Sequence, residues 1–399
     1  LVTDYKEYFS HFFKHKRKLW HFAAHSHHPW PDKAIDMHLR YVDDTSALTD
    51  EKWSLFFSEI LPKAQEFVAD LIGDSDSDQI VFAANTHEFI VRLLSCLQTG
   101  RRLRILSSDH EFYSFKRQML RLEEDGLIEW RRVGIDKPAA FYDAFSREAL
   151  SWQPDMVFCS HVTFDRGLFL QGLPDCMSAL RKKLPVETLL VIDGYHSLGA
   201  VPCAVPAGKL DGVFYLGGSY KYLSAGEGAC FMRVPRGCSL RPRNTGWFAD
   251  FAALESGISS PVGYAEGAQR FAGATMDFSA IYRLVGTGSL WAELGFSGTG
   301  SGFQKIHTHV SALQSYFLSE LSSRGVYEKG LLKGASDLSP PRGERGSFLC
   351  FGPVDLQHAL PALKSRGVLV DGRESVLRIG FGVYQSKPDV DGLLSALEI

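Results

Sequence analysis

The chain has 399 residues, of which 45% are hydrophobic and 22% charged, enough for a large buried core and, by length, two domains. Its formal net charge of -3, with no long run of one sign, excludes a general electrostatic attraction to nucleic acid or an anionic membrane and leaves a small molecule as the expected partner. The seven cysteines are scattered, odd in number and lack a CxxC pair, which fits reduced thiols better than a disulfide framework or a zinc site.

In chain order, the opening LVTDYKEYFSHFFKHKRKLW is interrupted throughout by charges, and no apolar run reaches membrane-spanning length, so the sequence reads as a cytoplasmic protein. From about Lys52 to Leu71 the apolar spacing predicts an amphipathic helix, with Pro62 as a break or kink. The period then changes. Short apolar runs at 79–83, 104–107, 155–159, 189–192, 212–216 and 229–232 alternate with segments of helical length such as Glu88 to Leu97 and Pro174 to Leu184. This alternation predicts an α/β domain on a mostly parallel sheet. Near Gly295 the glycine-rich GFSGTGSGF reads as a connection, followed by a helix with Ile306, Val310, Leu313, Phe317 and Leu321 on one face and Gly325 as its stop. The tail offers strands at 346–351 and 376–381 and helices at about 356–366 and 389–397, a smaller α+β domain. The expected division is an N-terminal segment, 1–45, contributing to the small domain and the active-site entrance; a large domain, 46–294; and the small domain, 295–399.

In open parallel α/β sheets ligands bind beyond the carboxyl ends of the strands, so the residues just after each apolar run carry the most information. After VFAA come Asn85, Thr86 and His87, which can cap the next helix and leave backbone N–H groups and a hydroxyl for an anion such as phosphate; most such residues only cap. After LLVI comes Asp193, in isolation more often a turn former or ion-pair partner than a functional group. After VFYL comes GGSYKYL, which brings the Lys221 ammonium to the end of a buried run, although lysine is rarely buried unless paired or chemically used. Asp193, His196 three residues on, and Lys221, 28 residues beyond Asp193, make together the carboxylate, imidazole and amine that a pyridoxal phosphate site requires.

The stretches VIDGYHSLGAVP, LGGSYKYLSAGEGACFM, NTGWF and GVLVDGRESVLRIGFGVYQS resemble motifs of kynureninases, within the class V aminotransferase group of fold-type I pyridoxal phosphate enzymes. The resemblance runs from about His21 to the C-terminus; its tail motif points to the kynureninase branch. It implies the fold-type I architecture, pyridoxal 5'-phosphate as cofactor, Lys221 as the Schiff-base lysine and Asp193 as partner of the pyridine nitrogen. His196 would lie beside the ring oxygen or the aspartate. Tyr220, Thr86 and the His87 amide match phosphate contacts, and Phe112 matches the ring stacked on the pyridine, a place that Glu111 or His110 takes under a small shift of alignment. Trp247 and Thr275 match positions that reach the phosphate of a neighbouring subunit, implying a homodimer. Arg378 matches the arginine that pairs with the substrate's α-carboxylate.

Two stretches depart from the family: Gly273-Ala274-Thr275-Met276-Asp277 near the cofactor, and the loop His25-Ser26-His27-His28-Pro29, where His25 and Ser26 are candidate substrate contacts. Three histidines in that loop tempt a metal reading, but without a second ligand cluster nearby they read as polar loop residues or substrate contacts, and no metal is assigned. A persulfide-carrying Cys350 would suggest a cysteine desulfurase, but SFLCF reads as strand with an inert thiol. The expectation is a dimeric enzyme on an amino acid, kynureninase-like Cβ–Cγ hydrolysis ranking above an aminotransferase or a β-lyase or cysteine desulfurase-like enzyme. A cofactor-binding protein without turnover would be expected to lose the lysine, aspartate or arginine; all three positions are occupied.

Overall fold

The computed structural model describes residues 4–15, 19–97, 100–205, 208–257, 260–296 and 302–398. Most of the glycine-rich connection expected after Gly295, residues 297–301, lies outside the described residues.

The runs IVFA, MVFCS, LLVID and VFYLGG are buried at every position, as strands covered on both faces must be. They belong to a seven-stranded sheet in the order Ile80–Ala83, Cys230–Arg233, Val213–Gly218, Leu189–Asp193, Met156–Ser160, Leu103–Ser108, Ile128–Val133. Cys230–Arg233 runs antiparallel to both neighbours, and the other pairs are parallel. The expected mostly parallel sheet is therefore present. The edge strand Ile128–Val133 escaped the sequence reading because Arg131 and Arg132 interrupt its apolar pattern and lie exposed.

The helix expected from Lys52 continues to Ile72 without a break. A widened π turn, Phe56–Ile60, precedes Pro62, so the helical hydrogen-bond pattern changes where the proline has no N–H to donate and the chain stays helical through it. Helix Asp32–Leu48 packs along Ser279–Leu294, and Gly286 permits the approach: any Cβ there would strike the Lys33 backbone.

A second, antiparallel sheet has the order Asp371–Arg373, Val376–Gly380, Phe348–Gly352, Ser336–Asp337. The N-terminal segment joins this part of the molecule, since Trp20–His21 pairs in parallel with Val368–Leu369 and Ala23 bridges Gly380. Two registers then set the site. Ser160 lies opposite Asp193 and Asp193 opposite Leu216, so three strands end side by side; in the second sheet Arg378 lies between Cys350 and Asp371. Among the described residues no helix is long and apolar enough to cross a membrane.

Candidate active site

Asp193 closes its strand and Lys221 follows Gly218 by three residues, which brings amine and carboxylate to one cavity of about 490 Å³. The glycines before the lysine are required by space: neither has a positive φ, but a Cβ on Gly218 would enter the Tyr195 ring and one on Gly217 would meet Leu198 and Phe231. Tyr195 can therefore close over the lysine, its ring centroid 5.0 Å from Nζ, while Phe112 and Tyr220 lie at 5.2 and 5.6 Å.

Lys221 is 4% exposed and its Nζ is hydrogen-bonded to His196 Nε2. Burial pulls the ammonium well below the usual lysine range, against the opposing pull of Asp193. Burial likewise raises the Asp193 carboxyl, while the Tyr195 N–H donates to Oδ1 at 2.9 Å and, with Lys221, favours the ionised form. His196 is held neutral by burial first and by Lys221 second, and its Nδ1 has no hydrogen-bond partner among the described residues. The site thus holds an amine whose ammonium form is disfavoured, a neutral imidazole with a spare ring nitrogen, and a buried carboxylate suited to a cationic partner.

The same cavity is lined by the start of helix Thr86–Cys96. Asn85 caps it, its side-chain oxygen accepting the Glu88 N–H at 3.0 Å, and Ala84, Asn85, Thr86 and His87 line the cavity. First-turn amides and the Thr86 hydroxyl therefore offer an anion site within the same space as the amine and the carboxylate. Of the three candidates for the stacking ring, Phe112 lines the cavity. Glu111 turns inward to Ser108 and Ser160, and His110 pairs with Asp165 at 2.5 Å.

Arg378, His25 and Ser26 lie outside that lining. Arg378 is buried with its guanidinium carbon 4.9 Å from the Phe164 ring centroid; Nη1 donates to the Phe164 carbonyl at 2.9 Å and Nη2 pairs with Asp371. His25 stacks on Phe348, centroids 4.7 Å apart, and burial pushes its ring down to about 4. Ser26 sits in the turn that follows, its N–H donating to the Ala23 carbonyl. The other loop histidines face different surroundings: His27 is exposed near Tyr220 and Glu227, whereas His28 is buried against Tyr384. Trp247 and Thr275 meet each other on the surface, indole Nε1 donating to the threonine hydroxyl at 2.9 Å, outside the cavity lining.

The sequence reading missed Ser160, Phe164, Tyr195 and Cys230, all in the lining. Ser160 and Phe164 carry a usable signal, since they end and follow an apolar run, the same address that singled out Asp193. Cys230 reaches the cavity through the antiparallel strand, in register with Ala83.

No protein-family model matches the sequence, and a search of curated proteins finds no relative. Solved structures do match. The cystine C-S lyase C-DES, in complex with its reaction product cysteine persulfide, superposes with a TM-score of 0.78 at 15% identity over 97% of this chain and 99% of its own. The cysteine desulfurase from Thermococcus onnurineus NA1 gives 0.77 at 15% identity over 96% and 94%, and CsdA from Escherichia coli 0.73 at 12% over 96% of both. A further C-DES structure, with glycine covalently linked to its PLP cofactor, gives 0.78 at 16% over 98% of both. At these identities the likeness establishes architecture, and the architecture is the fold-type I fold of pyridoxal phosphate enzymes.

Proposed function

We propose that this chain is a pyridoxal phosphate-dependent enzyme acting on an α-amino acid. The observation that carries the reading is the convergence of a buried amine, a buried carboxylate and a capped helix N-terminus on one cavity. The residues fit the group: Thr86 and the first-turn amides would hold its phosphate with Tyr220, Asp193 its pyridine nitrogen, Phe112 its ring face and Lys221 its aldehyde. When bound, the cofactor supplies a carbonyl that captures amines and a ring that accepts the electron pair released at Cα. Lys221, its ammonium form disfavoured by burial, contributes an amine able to attack a carbonyl and later to take and return a proton at Cα. His196 Nε2 shares a hydrogen bond with that amine and orients it. Asp193, kept from water, stabilises positive charge at its partner nitrogen. Arg378 would hold the substrate's α-carboxylate.

Within that class, kynureninase-like hydrolysis of the Cβ–Cγ bond is the reading supported by the tail motif GVLVDGRESVLRIGFGVYQS. A β-lyase reading is favoured by the names of the structural neighbours. Capture of sulfur on a protein thiolate has less support, because burial pushes both Cys230, in the cavity wall, and Cys350, in its strand, up to about 12.

Reconstituted protein should be yellow, and borohydride should fix the chromophore on Lys221; a label on another lysine refutes the assignment of Lys221, and no bound cofactor refutes the class. Incubation with L-kynurenine, 3-hydroxykynurenine, cystine, and ordinary amino acids plus a keto acid then separates the reactions. Alanine with anthranilate-type products supports the hydrolase, pyruvate with released persulfide supports the lyase, and amino transfer without cleavage rejects both.

A further inference from the structure

Arg378 is occupied. Its guanidinium is sealed between Phe164 and Phe348, with ring centroids 4.9 and 5.7 Å from the central carbon. Nη1 is committed to the Phe164 carbonyl, Nη2 to Asp371 Oδ2, and Nε has no hydrogen-bond partner among the described residues. Phe164 also lines the cavity, its ring centroid 6.0 Å from Lys221 Nζ, so one ring neighbours both the amine and the arginine. Each contact uses one N–H, but the guanidinium's charge is already paired with Asp371, so a substrate carboxylate arriving there competes with that resident anion.

Asp371, for its part, has somewhere else to go. Its Oδ1 accepts from Arg373 Nη1 at 2.8 Å and from the Gly372 N–H at 2.7 Å, and His25 Nε2 lies 3.4 Å from Oδ2. Arg373 is 59% exposed in its side chain and free to follow the carboxylate outward. A carboxylate shared between a buried and an exposed arginine can leave the buried one without becoming an unpaired charge, which is the costly outcome for a single-partner pair.

We propose that Asp371 is a resident carboxylate that pairs with Arg378 in the free enzyme and is exchanged for the substrate's α-carboxylate, Arg373 retaining the displaced aspartate. This rests on the pyridoxal phosphate reading above and adds a specificity device to it. Only a substrate whose own carboxylate replaces Asp371 recovers the buried ion pair, so an amine of the same side chain without a carboxylate leaves the exchange undone.

The test uses the cofactor-loaded protein and reads binding from the shift in bound-cofactor absorbance, with L-alanine and ethylamine as probes. Asp371→Asn removes the competing charge and leaves Arg378 a buried cation. Its Kd for L-alanine should fall by roughly fivefold or more, while its Kd for ethylamine stays unchanged. Arg373→Ala, at an exposed position, leaves Asp371 with Arg378 as its arginine partner; L-alanine should then bind more weakly and ethylamine as before. Unchanged or weaker L-alanine binding in a folded Asp371→Asn protein overturns the proposal, as does an Arg373→Ala protein that binds both probes like wild type. Should Asp371→Asn fail to fold, the Arg373→Ala result decides alone. A wild type without cofactor absorbance would instead refute the functional reading, so the two failures are distinguishable.

Discussion

Glu111 shows how one buried side chain can report on the state of the site. Its carboxyl is 1% exposed and accepts hydrogen bonds from the Ser108 and Ser160 hydroxyls, both at 2.5 Å. Burial, reinforced by Asp193, raises it from 4.5 to about 7, with the serines opposing. In the unfolded chain the proton leaves near 4.5, so between 4.5 and about 7 the folded state carries more protons than the unfolded one. Stability therefore falls as pH rises through that window. Glu111→Gln removes this contribution, and melting curves should show the variant gaining on wild type from the lower to the upper edge of the window and holding its gain above it. Parallel pH profiles would contradict this account of Glu111. At the substrate end, Arg378→Ala should weaken binding of α-amino acids by about 1.5–3 kcal/mol, the loss of a charge-assisted contact. Titration of the bound-cofactor absorbance with L-alanine would measure it; an unaltered Kd would remove Arg378 from the site.

At the level of elements, the site is a meeting of strand ends and one helix start, and legibility followed the burial of each element. Strands buried on both faces leave continuous apolar runs, so Leu189–Asp193 and Val213–Gly218 could be read with their terminal Asp193 and nearby Lys221. The exposed edge Ile128–Val133 left no such run. Which of His110, Glu111 and Phe112 faces the cavity could not be read, because the three precede a helix at Tyr113 and no period spans the turn. The occupation of Arg378 by Asp371 was equally hidden, since it depends on the register of two short strands. The capped helix gives a prediction at this scale. Asn85→Ala deletes the acceptor for the Glu88 N–H and should cost about 1 kcal/mol in urea unfolding of the cofactor-free protein. If the same first turn holds the phosphate, cofactor should also leave the variant faster. Normal retention alongside the expected loss of stability would confine Asn85 to capping.

For the whole molecule, the surface around Trp247 bears on how this chain meets a second copy. Trp247 is 37% exposed, its ring 5.8 Å from Trp53 and 5.3 Å from Phe251, and its indole N–H is fixed on the exposed Thr275. A large ring backed by other aromatics and set in one orientation has already lost much of the freedom that association would cost it, which is the profile of an interface anchor. Neither Trp247 nor Thr275 lines the chain's own cavity. We propose that they face a second copy and help to complete its phosphate site, so that cofactor retention depends on association. Wild type should then sediment as a dimer, and Trp247→Ala should weaken association by about 2 kcal/mol, roughly thirtyfold in Kd. The loss of bound cofactor on dilution should track dissociation, occurring at higher protein concentration in the variant than in wild type. Dilution at a fixed concentration of free cofactor separates a dimer-completed site from a merely weakened one, because a site held within one chain then keeps an occupancy independent of protein concentration. A monomer that keeps both cofactor and full turnover would show that the surface position of Trp247 has no part in the chemistry.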